Sequence, residues 1–127
     1  MARFFWVCFA GAAGTGARYL LSGWLQRKLG PSFPFGTLAV NVIGCFLLGA
    51  VMQVSLSTRL LPADARVVIA LGLLGGFTTY STFNYETLAS IREGAWALGS
   101  ASVLVTVIGC LAAGLAGIAG ARWLIGN

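Results

Sequence analysis

Histidine is absent from these 127 residues, and only Asp64, Glu86 and Glu93 are acidic. A histidine proton relay and a histidine-ligated metal are therefore excluded. Cysteine is scarce and scattered: Cys8, Cys45 and Cys110 each sit alone in an apolar stretch, which excludes a disulfide framework or a zinc cluster. They read as buried small hydrophobes. Charge is the largest deficit, at 9% of residues against 58% hydrophobic. Soluble domains carry about 25% charged residues. No nucleophile–base pair, carboxylate pair or metal cluster is present, so the chain is not read as an enzyme. The net charge of +5 is spread over connectors and helix ends rather than gathered in a run. Anionic lipid headgroups, not nucleic acid, are the partner this pattern suits.

What remains is an integral membrane protein, with a mean hydropathy of +0.90. Four apolar stretches, at about 4–25, 36–56, 66–91 and 95–121, each reach the ~20 residues a spanning helix needs. The connectors hold the turn residues and charges, and leave no room for a soluble domain. The expected architecture is a single all-α domain over residues 1–127. Arg18 interrupts the first stretch and no small-x-small cleavage site follows, so it reads as a permanent helix rather than a signal peptide.

The basic residues show no bias. One side of a four-span chain receives Arg3, Arg59, Arg66 and Arg122; the other receives Arg18, Arg27, Lys28 and Arg92. Orientation follows Lys/Arg asymmetry, and four against four supplies none; setting Arg18 aside leaves four against three. The expectation is dual topology, with two opposed copies forming an antiparallel homodimer that recreates an inverted repeat. Small residues at four-residue spacing, Gly109, Ala113, Gly117 and Ala121, supply a close-packing face on the fourth span.

The third stretch is a poor continuous helix. Gly75-Gly76-Phe77-Thr78-Thr79-Tyr80-Ser81-Thr82-Phe83 places paired glycines, then hydroxyls and aromatics, at mid-span. Unpaired backbone at that depth is tolerated only in protein or beside water, so a break there predicts an ion or substrate site. Carbonyls freed around Gly75 and Thr78 are hard oxygen ligands suited to Na⁺. Thr79, Ser81 and Thr82 offer hydroxyl donors. Tyr80 and Phe83, three apart, share a helix face, and an aromatic edge meeting an ion favours an anion. Asn41 in the second span either bonds another helix or donates to an anion. Two ionisable groups lie within spans, where each is a functional candidate. Arg18 reads as a snorkelling anchor or a vestibule charge. Glu86 shares a face with Thr79, Thr82 and Phe83 and reads as a pathway group or a helix-end charge. Aromatic edges and neutral donors without lysine suit a small acceptor-only anion.

These residues resemble the small bacterial Fluc-type (CrcB) fluoride channels. The match is the Gly75–Phe83 run followed by Glu86, Gly36-Thr37-Leu38 with Asn41, and Gly14 to Arg18; it covers the whole chain. The resemblance implies an antiparallel homodimer in the cell inner membrane, with a third helix broken at mid-membrane and two passive fluoride pathways that lower cytoplasmic fluoride and its toxicity. It implies a central structural Na⁺, not transported, on the backbone carbonyls of Gly75 and Thr78. It implies an aromatic box of Tyr80 and Phe83, a donor at Asn41, a polar track including Ser81, Thr82 and Glu86, and Arg18 near a vestibule. Two positions depart from the family pattern: Tyr80 stands where many members carry phenylalanine, and Cys110 where many carry serine. A thiol is a weak donor, and Thr106, one turn earlier, can substitute. The alternatives are a dual-topology small multidrug exporter, which relies on a first-helix glutamate missing here, and a coupled fluoride exporter, disfavoured by so few buried titratable groups.

Overall fold

The computed structural model describes residues 1–126, which are all-helical with no strand among them. Helix α1 (Ala2–Leu29) and helix α2 (Phe35–Ser57) are joined by a tight turn. Gly30 ends α1 at φ 84°, in the region only glycine adopts freely. Gln26 fastens this turn: its Nε2 donates to the Gly30 and Phe33 carbonyls, while its Oε1 accepts from the Gly36 N–H. Pro62 precedes the short helix α3 (Ala63–Val67). The chain then widens into a π-helical segment, Val68–Leu74, and returns to an α-helical turn, α4 (Gly75–Phe77). Thr78 and Thr79 are extended, after which α5 (Tyr80–Arg92) resumes and α6 (Trp96–Ile125) closes the chain.

Three elements are long and apolar enough to cross a membrane: Phe35–Ser57, Ala63–Arg92 and Trp96–Ile125. The fourth expected span is α1, whose 28 residues suffice in length but carry Arg3, Arg18, Arg27 and Lys28. The break falls midway along Ala63–Arg92, after Phe77.

Two backbone-close contacts set the framework. Helix α6 packs most extensively on α2. A Cβ on Gly117 would collide with the Phe46 carbonyl, and one on Gly49 with that of Gly114. Helix α1 packs on the π segment and α4 in the same manner: a Cβ on Gly14 would strike the Leu73 carbonyl, and one on Gly76 that of Gly11. In lipid no hydrophobic force drives helices together, so such contacts are where close packing acts. The first contact fixes the α2–α6 wall. The second presses α1 against the segment that must break.

Candidate functional site

The break joins two helix ends of opposite polarity. A helical run ends at Phe77, presenting carbonyl oxygens; α5 begins at Tyr80, presenting N–H groups. The first end attracts cations and the second anions.

Partners from three elements hold the interruption open. Asn41, on α2 and 8% exposed, makes a paired contact with the extended Thr79 peptide. Its Nδ2 donates to the Thr79 carbonyl at 3.0 Å and its Oδ1 accepts the Thr79 N–H at 2.8 Å. This replaces the two bonds that an unbroken helix would have given that residue. Arg18, on α1, donates from Nε to the Gly76 carbonyl at 3.0 Å, with the Thr15 hydroxyl 3.5 Å from the same oxygen. Its charge therefore reaches the level of the break. Thr79 also caps α5: its Oγ1 accepts the Thr82 N–H at 3.2 Å and donates to the Thr82 Oγ1 at 2.9 Å. The Thr79 proton is thus committed, whereas the Thr82 proton remains for another acceptor. Ser81 Oγ lies 3.4 Å from Thr79 Oγ1 on the exposed side.

Among the described residues no hydrogen bond reaches the carbonyls of Gly75 or Thr78. In a continuous helix those oxygens would accept from Thr79 and Thr82, whose N–H groups are diverted to Asn41 and to the Thr79 side chain. A cavity of about 340 Å³ opens beside them, lined by Asn41, Gly75, Thr78, Tyr80, Phe83 and Thr106, with Cys45 and Cys110 on its wall. Tyr80 and Phe83 meet edge-on, with ring centroids 5.7 Å apart and planes at 61°. Phe83 is 8% exposed, but Tyr80 is 78% exposed and projects beyond the chain's own packing.

The sequence-derived residues therefore fall into two groups. Asn41, Gly75, Thr78, Tyr80, Phe83 and Thr106 share one cavity. Glu86 lies lower on α5, half-buried beside Thr37, with its Oε2 buried and lacking a partner among the described residues. Arg18, Thr79, Ser81 and Thr82 act around the break itself. Three buried hydroxyls lay outside the sequence reading of the site: Thr37, Thr87 and Ser102. Ser102 is 2% exposed with no partner for its Oγ among the described residues, and Thr87 shares that state. The available signal was spacing: Thr37 precedes Asn41, and Ser102 precedes Thr106, by one helical turn.

The model of the family described as CrcB-like protein, Camphor Resistance (CrcB), matches residues 5–118. A protein of Anaeromyxobacter dehalogenans named fluoride-specific ion channel FluC is 54% identical, covering 99% of this chain and all of its own. Proteins of the same name from Sorangium cellulosum and Geobacter sulfurreducens are 51% and 48% identical, covering 98% and 90% of this chain and 98% and 92% of their own. With the helix break, the apolar spans and this coverage taken together, the chain belongs to the CrcB family.

Proposed function

We propose that the chain is a passive, fluoride-selective ion channel of the cell inner membrane, working as an antiparallel homodimer. The observation that carries the reading is the broken third span. Its cavity offers aromatic edges and neutral donors to an anion, without a lysine that would hold the anion too firmly. Fluoride only accepts hydrogen bonds, so the second Asn41 amide proton and the Thr106 and Thr82 hydroxyls suit it, as do the ring edges of Tyr80 and Phe83. Conduction needs weak binding at several points, and these groups form such a series. The function named for the relatives agrees with this chemistry.

The dimer reading rests on charge balance and on Tyr80. A tyrosine 78% exposed beside this cavity has half an environment, which a second copy would complete. In this reading α1 is the fourth span, its Arg18 satisfied by the Gly76 carbonyl. A charge inside a bilayer is otherwise costly.

The same reading includes a structural Na⁺. The carbonyls of Gly75 and Thr78 fit it: both are hard oxygen donors, both belong to residues that line the cavity, and neither is engaged by the N–H groups of the described residues. Two copies would supply four such oxygens. The ion would offset carbonyl dipoles that otherwise face one another at low dielectric. The Asn41–Thr79 pair, by diverting the Thr79 N–H, keeps the Gly75 oxygen available.

The test is efflux from liposomes loaded with fluoride or chloride and read with ion-selective electrodes. Fluoride efflux with chloride retained is expected. Equal chloride efflux would defeat the proposal.

A further inference from the structure

The third span begins beside the start of the first. Helix α3 follows Pro62, and a groove of about 390 Å³ runs between it and the opening turns of α1, lined by Arg3, Trp6, Asp64, Val68 and Ile69. Backbone-close packing begins just below: a Cβ on Gly72 would strike the carbonyl of Val7, one turn after Arg3. The groove is therefore set between two elements already held together.

Its polarity is graded. Val68 and Ile69, on the π segment, form an apolar floor, while Arg3 and Asp64 form a charged rim where the spans begin. Trp6 is 62% exposed and lies one turn in from Arg3, where aromatic side chains meet headgroups. A single contact joins the rim: Arg3 Nη1 donates to Asp64 Oδ1 at 3.1 Å, and the two side chains are 63% and 77% exposed. Arg3 Nε and Nη2 and Asp64 Oδ2 have no partner among the described residues. An exposed ion pair of this kind holds little by itself. It does set one cation and one anion side by side at a membrane boundary.

We propose that this groove seats the headgroup of an aminophospholipid of the phosphatidylethanolamine class. The Arg3 guanidinium donates to the lipid phosphate, and the Asp64 carboxylate accepts from the lipid ammonium. The acyl chains then run down over Val68 and Ile69. Charge complementarity selects this headgroup over others. Asp64 is the only acidic residue before Glu86, and it repels an anionic headgroup at the place where Arg3 attracts one. A choline headgroup carries the same charges as ethanolamine but no N–H, so it leaves Asp64 without a donor. A phosphate and an N–H cation two carbons apart meet both members of the pair, and the four charges alternate in sign. The seat rests on the groove and its charges, and stands apart from the fluoride reading.

The test is native mass spectrometry of the full chain, released from micelles holding equal amounts of two lipids with identical acyl chains. Phosphatidylethanolamine is expected to be retained about fivefold over phosphatidylcholine, the scale of one exposed charge-assisted contact. Its N-methyl and N,N-dimethyl forms should fall between them, in order of the N–H groups that remain. Asp64→Asn should bring the two lipids level, and Arg3→Gln should lower retention of both. Glu93→Gln makes the same change of charge at the other end of the third span, and should keep the preference. Equal retention by the unaltered chain, a preference that survives Asp64→Asn, unchanged retention in Arg3→Gln, or equal loss in Glu93→Gln would overturn the seat. Phosphatidylglycerol retained above phosphatidylethanolamine would reduce Arg3 to a plain anchor for anions and overturn it too. The N-methyl series needs no variant, so it decides the matter even where a substituted chain fails to fold.

Discussion

Replacing Asn41 by alanine removes both side-chain bonds to Thr79 at once, at 3.0 and 2.8 Å. The Thr79 peptide lies in a region only 8% exposed, so its N–H and carbonyl gain no water in exchange. Leaving one buried polar group unpaired costs about 1–3 kcal/mol. Interhelical hydrogen bonds measured within bilayers are nearer 0.6–1.7 kcal/mol, because the unfolded state in lipid also finds partners. For two groups the loss should be about 1–4 kcal/mol. Equilibrium unfolding in mixed micelles, followed by fluorescence of the four tryptophans, measures it. Leu20→Ala is the reference, since Leu20 is 68% exposed on α1 and touches little of the protein; surface changes of this kind stay within about 0.5 kcal/mol. The freed Thr79 N–H can also return to the Gly75 carbonyl and partly reseal the helix, so fluoride efflux should fall at least tenfold, beyond what lost protein accounts for. An Asn41→Ala variant as stable as Leu20→Ala would refute the claim that this pair holds the break open.

Three shorter predictions accompany it. Phe83→Ile keeps apolar volume but removes the ring edge, and should abolish or sharply cut fluoride efflux while gel filtration shows the same assembly; unchanged efflux would remove Phe83 from the pathway. Protein purified without Na⁺ should lose activity or assembly and recover both when Na⁺ is restored, whereas indifference to Na⁺ would leave the carbonyls of Gly75 and Thr78 without their proposed role. Tags on the two ends of the chain should be found on both sides of the membrane within one population, and a single orientation would rule out the antiparallel dimer.

The break itself was legible. Paired glycines followed by hydroxyls and aromatics mark a helix that stops, and the extended residues are Thr78 and Thr79. Asn41, Tyr80 and Phe83 were legible for local reasons, an amide inside an apolar span and two aromatics three residues apart, whereas Thr106 entered only through the family pattern at Cys110. Contacts between distant positions were not. Arg18 reads from sequence as an anchor or vestibule charge, yet its Nε reaches a carbonyl 58 residues away. Nothing in Gly14 alone says that it meets Leu73, which brings α1 near enough for that bond. The π-helical widening over Val68–Leu74 escaped notice because its composition is that of any apolar helix. Thr79 looked like one donor among several, and only the geometry commits its proton to Thr82. The cysteines looked solitary, yet Cys45 and Cys110, far apart in sequence, line one cavity.

Passive, electrogenic movement of fluoride through the broken span is tested most directly by the ionic balance of efflux. Fluoride-loaded liposomes with internal K⁺ should release fluoride only when valinomycin lets K⁺ follow, at one rate whether or not a proton gradient is imposed. Release without valinomycin, driven by a proton gradient, would contradict the account and identify a coupled exporter instead.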